Sequence, residues 1–127
     1  MERGIFPVGR KPVEGERMEW RRDFSHELAA PHMSLQPTLE HLTYILSILD
    51  DEELGFNQLA SAIETRALVA GAIIREANSV SVASGRPVKT VRYALVLLGV
   101  RRVRSLLTDL YEATLVEWNR VQLQKHH

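Results

Sequence analysis

The stretch that decides the fold is residues 66–110, RALVAGAIIREANSVSVASGRPVKTVRYALVLLGVRRVRSLLTDL. Its first apolar residues recur at the three- and four-residue spacing of a helix up to Ala77. A loop rich in Ser and Gly follows at 79–87, and a second apolar helix then ends at Gly99. A third helix begins at once, with arginines in its first turn. The stretch therefore predicts three successive helices that turn at the loop and at Gly99.

Helical periodicity continues on both sides of this stretch. Upstream, one apolar stripe consists of Leu39, Leu42, Ile45, Leu46 and Leu49, and a shorter one of Phe56, Leu59, Ala60 and Ile63. Trp20, Phe24 and Leu28 recur at every fourth position, which predicts a helix from about Val13 to Ala30. Downstream, the last helix extends to about Gln122. Because no stretch alternates with a period of two for long enough to form a strand, we expect an all-α fold, a compact bundle of five or six short helices.

Three polar or glycine positions predict where these helices begin and end. The hydroxyl of Thr90 can accept a hydrogen bond from the first turn of the helix that follows it. Gly99 suits a left-handed cap at the end of that helix. Asn78 also tolerates the left-handed conformation, and we expect it to cap the helix that precedes the loop.

The length of 127 residues predicts a single domain. We assign residues 34–122 to it, with residues 1–33 as a flexible or partly helical arm and residues 123–127 as a tail. The hydrophobic fraction of 45% and the charged fraction of 25% are ordinary for a globular protein. Sixteen basic and sixteen acidic residues cancel, so no overall field attracts the chain to nucleic acid or to a membrane.

The location expected from the sequence is the cytoplasm. There is no cysteine, which fits a reducing compartment. No apolar run approaches the roughly 20 residues that a membrane span needs. The first residues, MERGIFPVGRKPVEGERMEW, contain no apolar core of the kind found in signal peptides.

The sequence contains no pattern typical of a metal-dependent or nucleophilic active site. The five histidines, His26, His32, His41, His126 and His127, form no His-Glu-x-x-His pattern, and none is followed by Asp. Without cysteine, a Gly-x-Ser-x-Gly motif or a phosphate-binding loop, nucleophilic and nucleotide chemistry have no local support. The acidic run at 50–53 is typical of a solvated helix end. We therefore expect no enzyme activity, no metal and no cofactor.

One charged group does stand out as a candidate binding site. Its six basic residues are Arg86, Lys89, Arg92, Arg101, Arg102 and Arg104. Arg101 and Arg104 are three residues apart and share a helix face. Such a patch at a helix N-terminus could bind phosphate or an acidic partner. The alternative is a solvated face whose arginines pair with nearby acidic residues.

The order of these elements resembles a known family. The segment LQPTLEHLTYILSILDDEE (35–53) is similar to its Leu-Pro entry, apolar helix and acidic turn. The segment FNQLASAIETRALVAGAIIREANS (56–79) is similar to its next two helices and the Asn-Ser pair that ends them, and RPVKTVRYALVLLGVRRVRSLL (86–107) to its loop, following helix and basic start. That family is HDOD, non-catalytic relatives of the HD phosphohydrolases in bacterial signalling proteins. One departure is Thr65-Arg66, where the family usually has Asp-Pro.

The resemblance covers the N-terminal part of an HDOD domain, and it implies that the apolar stripe of the last helix is partly uncovered. We therefore expect contact with a protein partner or with a second copy in a homo-oligomer. The candidate interface residues are Trp20, Phe24, Leu115 and Trp118. The identity of the partner or signal stays open.

Two alternative functions have some support. One is a small DNA-binding regulator, in which Phe56–Asn78 forms a helix-turn-helix. The neutral charge balance makes nucleic acid the less favoured partner. The other is a sensor of a phosphate-containing ligand that uses the basic patch. No membrane association is expected.

Overall fold

In a computed structural model of the chain, residues 14–30, 35–51, 53–81 and 85–125 are described, with residues 14–20 described by their backbone alone. These residues form five helices and no strand. The helices are α1 (Glu14–Leu28), α2 (Leu35–Ile48), α3 (Phe56–Glu64), α4 (Ala67–Val80) and α5 (Val91–Lys125). The prediction of an all-α bundle of five or six helices is confirmed.

Helix α5 is the central element of the bundle, because it packs against each of the other four helices. Its buried face follows the apolar stripe seen in the sequence: Val91, Ala94, Leu95, Leu98, Val103, Leu106, Leu107, Leu110, Ala113 and Thr114. Burying one leucine side chain stabilises a fold by roughly 1.5–3 kcal/mol. Because this stripe faces all the other helices, it supplies much of the energy that holds the bundle together.

Gly99 divides α5 into two helical segments. Its φ of 79° and ψ of 160° are not helical, although the helix resumes at the next residue. The predicted positive φ is found, but the predicted left-handed cap is not, since that conformation needs a ψ near 50°. A positive φ with an extended ψ is adopted almost only by glycine. Glycine thus allows α5 to change direction without an intervening loop.

Helix α1 is an integral part of the core. Phe24 and Leu28 are buried, and α1 packs against α4 and α5. An ion pair of 3.6 Å between Arg75 Nη2 and Glu27 Oε1 joins α1 to α4 at the surface. The helix predicted from about Val13 to Ala30 is found with nearly those ends. The first 13 residues lie outside the described part of the chain.

The loop between α4 and α5 is held by a side chain of α4. Asn78 accepts a hydrogen bond from the backbone N–H of Val88 at 2.6 Å and donates one to its carbonyl oxygen at 3.0 Å. The prediction that Asn78 caps α4 in the left-handed conformation is wrong, because α4 continues to Val80 and no described non-glycine residue has a positive φ. Beyond the loop, Thr90 accepts from the N–H of Tyr93 at 3.1 Å, as predicted for an N-cap.

The turn between α3 and α4 contains only Thr65 and Arg66, where the chain departs from the family pattern. Thr65 is the C-cap of α3 and Arg66 is the N-cap of α4, so the two helices follow each other directly. The Thr65 hydroxyl donates to the carbonyl oxygen of Ala62 at 2.8 Å. His41 Nε2 of α2 lies 2.7 Å from the same oxygen and 2.9 Å from Thr65 Oγ1. These side-chain contacts close the turn without the Asp-Pro pair.

Candidate interaction surface

The six residues of the predicted basic patch extend from the loop before α5 into its second segment. Between Arg86 and Thr108 the chain contains no Asp or Glu. Lys89 and Arg101 are exposed, and neither has a hydrogen-bond or ion-pair partner among the described residues. These two side chains are therefore the members of the patch most accessible to an external anion.

Two other members of the patch are already neutralised by acidic residues of other helices or turns. Arg104 forms an ion pair with Asp50, which follows α2. Arg102 lies 3.8 Å from the carboxylate of Glu76 in α4, a side chain that is only 9% exposed. A buried carboxylate needs a nearby cation because its desolvation costs several kcal/mol. Arg102 and Arg104 therefore connect α5 to the bundle, as in the alternative of arginines paired with acids.

Arg92 also has a partner, although an uncharged one. Its guanidinium donates a hydrogen bond to the side-chain oxygen of Asn57, in the first turn of α3. This contact fixes the direction of Arg92 and leaves its charge in place, because an amide does not neutralise a cation. Arg86 is exposed in the loop. The structure thus divides the patch into residues that hold the bundle and residues whose charge faces solvent.

The first segment of α5 exposes an apolar strip. Tyr93, Val96 and Leu97 occupy positions i, i+3 and i+4, which lie on one helix face. Val96 is 67% exposed, Leu97 39% and Tyr93 37%. The opposite face carries the buried residues from Val91 to Leu98. Lys89 precedes this strip in the chain and Arg101 follows it. We call these five residues, Lys89, Tyr93, Val96, Leu97 and Arg101, the front surface.

The second segment of α5 exposes another apolar pair near its end. Val116 and Leu123 are seven residues apart, so they share a face, and they are 67% and 70% exposed. Glu112 and Asp109, one and two turns before Val116, lie toward the same side of the helix. Neither carboxylate has a hydrogen-bond or ion-pair partner among the described residues. We call Asp109, Glu112, Val116 and Leu123 the rear surface.

A third acidic side chain in this region is already paired. Arg120 Nε donates to Glu117 Oε1 at 3.1 Å, and Arg120 Nη2 contacts the other carboxylate oxygen. The hydrogen bond from Arg120 lowers the pKa of Glu117, and the same contact raises the pKa of Arg120. Glu117 therefore stays ionised and bound to its own helix, which leaves Asp109 and Glu112 as the acids of the rear surface.

The candidate interface residues predicted from the sequence differ in how deeply the structure buries them. Phe24 has no exposed surface, so it belongs to the core and offers nothing to a partner in this conformation. Trp118 packs partly against the core, and Leu115 is half-buried. The side chain of Trp20 lies outside the described residues. The correction has a simple cause: residues on the 3.6-residue stripe face the bundle, whereas the exposed apolar residues Val96 and Val116 stand off that stripe. Apolar residues off the stripe were the signal that sequence reasoning missed.

Helix α4 is not available as a recognition helix for DNA. It packs against α1, α3 and α5, and its apolar residues Val69, Ala72, Ile73 and Ala77 are buried. Arg75, a basic residue of this helix, forms the ion pair with Glu27 of α1. A helix in the major groove must present its side chains to base edges. The helix-turn-helix hypothesis for Phe56–Asn78 is therefore not supported by the packing.

Two further features bear on the class of site. In the part of the chain that the structure describes, no group of three or more His, Cys, Asp or Glu residues is arranged to hold a metal ion. None of the five described helices combines the length and the apolar character required to cross a membrane.

Comparison with known proteins agrees with the order of helices. A family model for the HDOD domain matches residues 35–124, which begin with the first residue of α2 and end one residue before the end of α5. Helix α1 precedes the matched region. No curated protein and no solved structure matches the chain. Because the matched region is most of the 127 residues and contains α2 to α5 in order, the chain belongs to the HDOD domain family.

Proposed function

We propose that this chain is a non-enzymatic helical module of signal transduction, which acts by binding a protein partner or a second copy of itself. The observation that carries the proposal is that α5 exposes apolar side chains on both of its segments while its other side forms the core. These side chains are Tyr93, Val96, Leu97, Val100, Val116 and Leu123. Exposed apolar groups with polar neighbours are typical of sites of protein contact.

The family supports the non-enzymatic part of the proposal. The HDOD domain is similar to the HD phosphohydrolases, which hold their metal with adjacent His and Asp side chains. The chain contains no His-Asp dipeptide. The half-buried histidine His41 contacts the end of α3 through Nε2. That histidine therefore has a structural role in the turn, and the remaining chemistry of the surface is that of binding.

Sedimentation velocity over a range of protein concentrations tests the proposal. We expect the wild-type chain to associate, and we expect Val96→Ser with Val116→Ser to weaken that association. Tyr44→Ser is the matched control, because Tyr44 is a comparably exposed apolar residue that lies on α2. A chain that stays monomeric at every concentration, and that cross-links to no protein in cells, would contradict the proposal.

A second function has one observation in its favour. Lys89 and Arg101 are exposed cations without a partner among the described residues, and such groups attract phosphate. A sensor of a phosphate-containing ligand would use them. Thermal unfolding in the presence of nucleotides and cyclic dinucleotides tests this function. Stabilisation of the wild-type chain that is lost in Arg101→Ala would support it, and no shift with any of these compounds would exclude it.

A further inference from the structure

The loop before α5 and the first part of that helix are basic, the middle of α5 is acidic, and its last turn carries Lys125. The segment from Arg86 to Arg104 contains six basic residues and no acidic residue. The next three charged residues are Asp109, Glu112 and Glu117, all acidic. In a chain of zero formal net charge, this separation places a positive front surface and a negative rear surface on one helix.

The two surfaces are also alike in their construction. Each has exposed apolar side chains, Tyr93, Val96 and Leu97 in front and Val116 with Leu123 at the rear. Each has charges of a single sign that the described part of the chain leaves unneutralised. A protein interface needs an apolar centre for affinity and complementary charges at its rim for orientation. The front and rear surfaces satisfy both needs toward each other.

We propose that the occupant of the front surface is a second copy of this chain, which binds through its rear surface. The inference rests on the proposed function and makes it specific. Lys89 and Arg101 of one copy face Asp109 and Glu112 of the other, while Val116 and Leu123 pack against the strip at Val96. An acidic peptide, an anionic lipid surface or a nucleic acid would use only the front surface. A second copy uses the front surface and the rear surface.

The same pairing can form a closed dimer. When two α5 helices run antiparallel, the front of each copy meets the rear of the other, so the contact forms twice around a two-fold axis. Most of the front surface lies before the break at Gly99, and the whole of the rear surface lies after it. The two contacts of a closed dimer are therefore separate, and each contributes independently to affinity. A head-to-tail arrangement uses the same contact once for each copy and produces longer assemblies.

Complementary charge reversal tests the inference. The front variant carries Lys89→Glu and Arg101→Glu, and the rear variant carries Asp109→Lys and Glu112→Lys. Three of these four side chains are exposed and the other is half-buried, so both variants are expected to fold, which circular dichroism checks. Sedimentation equilibrium should show self-association of each variant weakened by about tenfold or more, because like charges then face each other. An equimolar mixture should associate as strongly as the wild type.

Three comparisons make the result specific. A variant with Asp23→Lys and Glu64→Lys introduces the same charge change as the rear variant, but at exposed positions on α1 and α3. It should associate like the wild type. Dissociation of the wild-type dimer should increase with salt concentration, because exposed charges are screened. Val96→Ser should weaken self-association of the wild type. Added to the front variant, it should also weaken the association of that variant with the rear variant.

The possible failures differ from one another. If the wild type associates but the front and rear variants do so equally well, or if their mixture shows no recovery, the inference is overturned and the proposed function stands. If the wild type stays monomeric and instead binds an acidic helical peptide, anionic vesicles or duplex DNA at the front surface, the second copy is overturned as its occupant. If it is monomeric and binds no protein, both proposals fail.

Discussion

The side-chain amide of Asn78 pairs with both backbone groups of Val88, accepting from its N–H at 2.6 Å and donating to its carbonyl oxygen at 3.0 Å. One side chain thus satisfies two polar groups of the loop, as a neighbouring strand would do. Val88 is only 3% exposed, and its side chain packs in the core. Asn78 therefore determines where the loop enters α5 and where the front surface begins.

Asn78→Asp should destabilise the chain by about 1–3 kcal/mol, because it replaces the amide donor by an acceptor opposite the carbonyl of Val88. Equilibrium unfolding in urea measures the loss. Asn119→Asp is the control, since Asn119 is exposed on α5 and should change stability by less than about 0.5 kcal/mol. Equal effects of the two substitutions would show that the pairing with Val88 contributes nothing.

Gly99→Ala should destabilise the chain by about 1–3 kcal/mol, because a side chain is strained at a φ of 79° and a ψ of 160°. No heavy atom lies within 4 Å of the added methyl group, so the cost comes from the backbone and not from a clash. Gly71→Ala is the matched control, because Gly71 is helical within α4. There alanine should stabilise by up to about 1 kcal/mol. Thermal unfolding of both variants should shift in opposite directions.

Phe24→Ala should destabilise the chain by about 3–5 kcal/mol, the usual result when a buried aromatic ring is removed. Phe24 is fully buried although α1 lies outside the region matched to the family. Calorimetry measures the loss, with Asp23→Ala as the exposed neighbour that should have little effect. If Phe24→Ala unfolds at the same temperature as the wild type, α1 is not an integral part of the bundle.

The contact between Glu117 and Arg120 should stabilise the chain only above the acidic range. Because the hydrogen bond from Arg120 lowers the pKa of Glu117 in the folded state, this contribution is present above the ordinary glutamate pKa of 4.5 and is lost as pH falls through the lowered value. Solvent screens this contact at the exposed guanidinium of Arg120, so its contribution to stability is small.

The free energy of unfolding of wild type and Glu117→Gln, measured at pH 7 and at pH 3, checks this sign. The wild type should be slightly more stable at pH 7, and the difference should be smaller at pH 3. A difference that grows as the pH falls would contradict it. Arg120→Gln should remove the same pH-dependent difference, because the contact needs both charges.

Periodicity in the sequence predicted most of the helices and much of the core. Leu106, Leu107 and Leu110 follow the 3.6-residue stripe and are buried, and Thr90 caps α5 as its position before an apolar helix indicates. These features depend on residues that are only a few positions apart in the sequence, so a local sequence pattern is enough to predict them. The prediction for Asn78 was wrong for the opposite reason: its hydrogen-bond partner is ten residues away across the loop, and local propensity favoured a cap.

The sequence predicted the candidate surface as a set of basic residues and a set of apolar interface residues, without the contacts that each of them makes. The sequence shows six basic residues near the start of α5, but it does not show that Arg104 meets Asp50, which is 54 residues away. It also does not show that Val96 and Val116 remain exposed while Phe24 is buried. These outcomes depend on which helices meet, and the apolar stripe of one helix does not specify its neighbour.

By itself, the sequence determined an all-α chain, the start of α5 after Thr90, a break at Gly99, and membership of a family through the order of its helices. Only the tertiary structure decided which charges are neutralised and which apolar side chains stay in water. The physical reason is that helix formation is decided by residues three and four apart, whereas desolvation and charge pairing are decided by segments that are distant in the chain and become close only when α5 packs against the other helices.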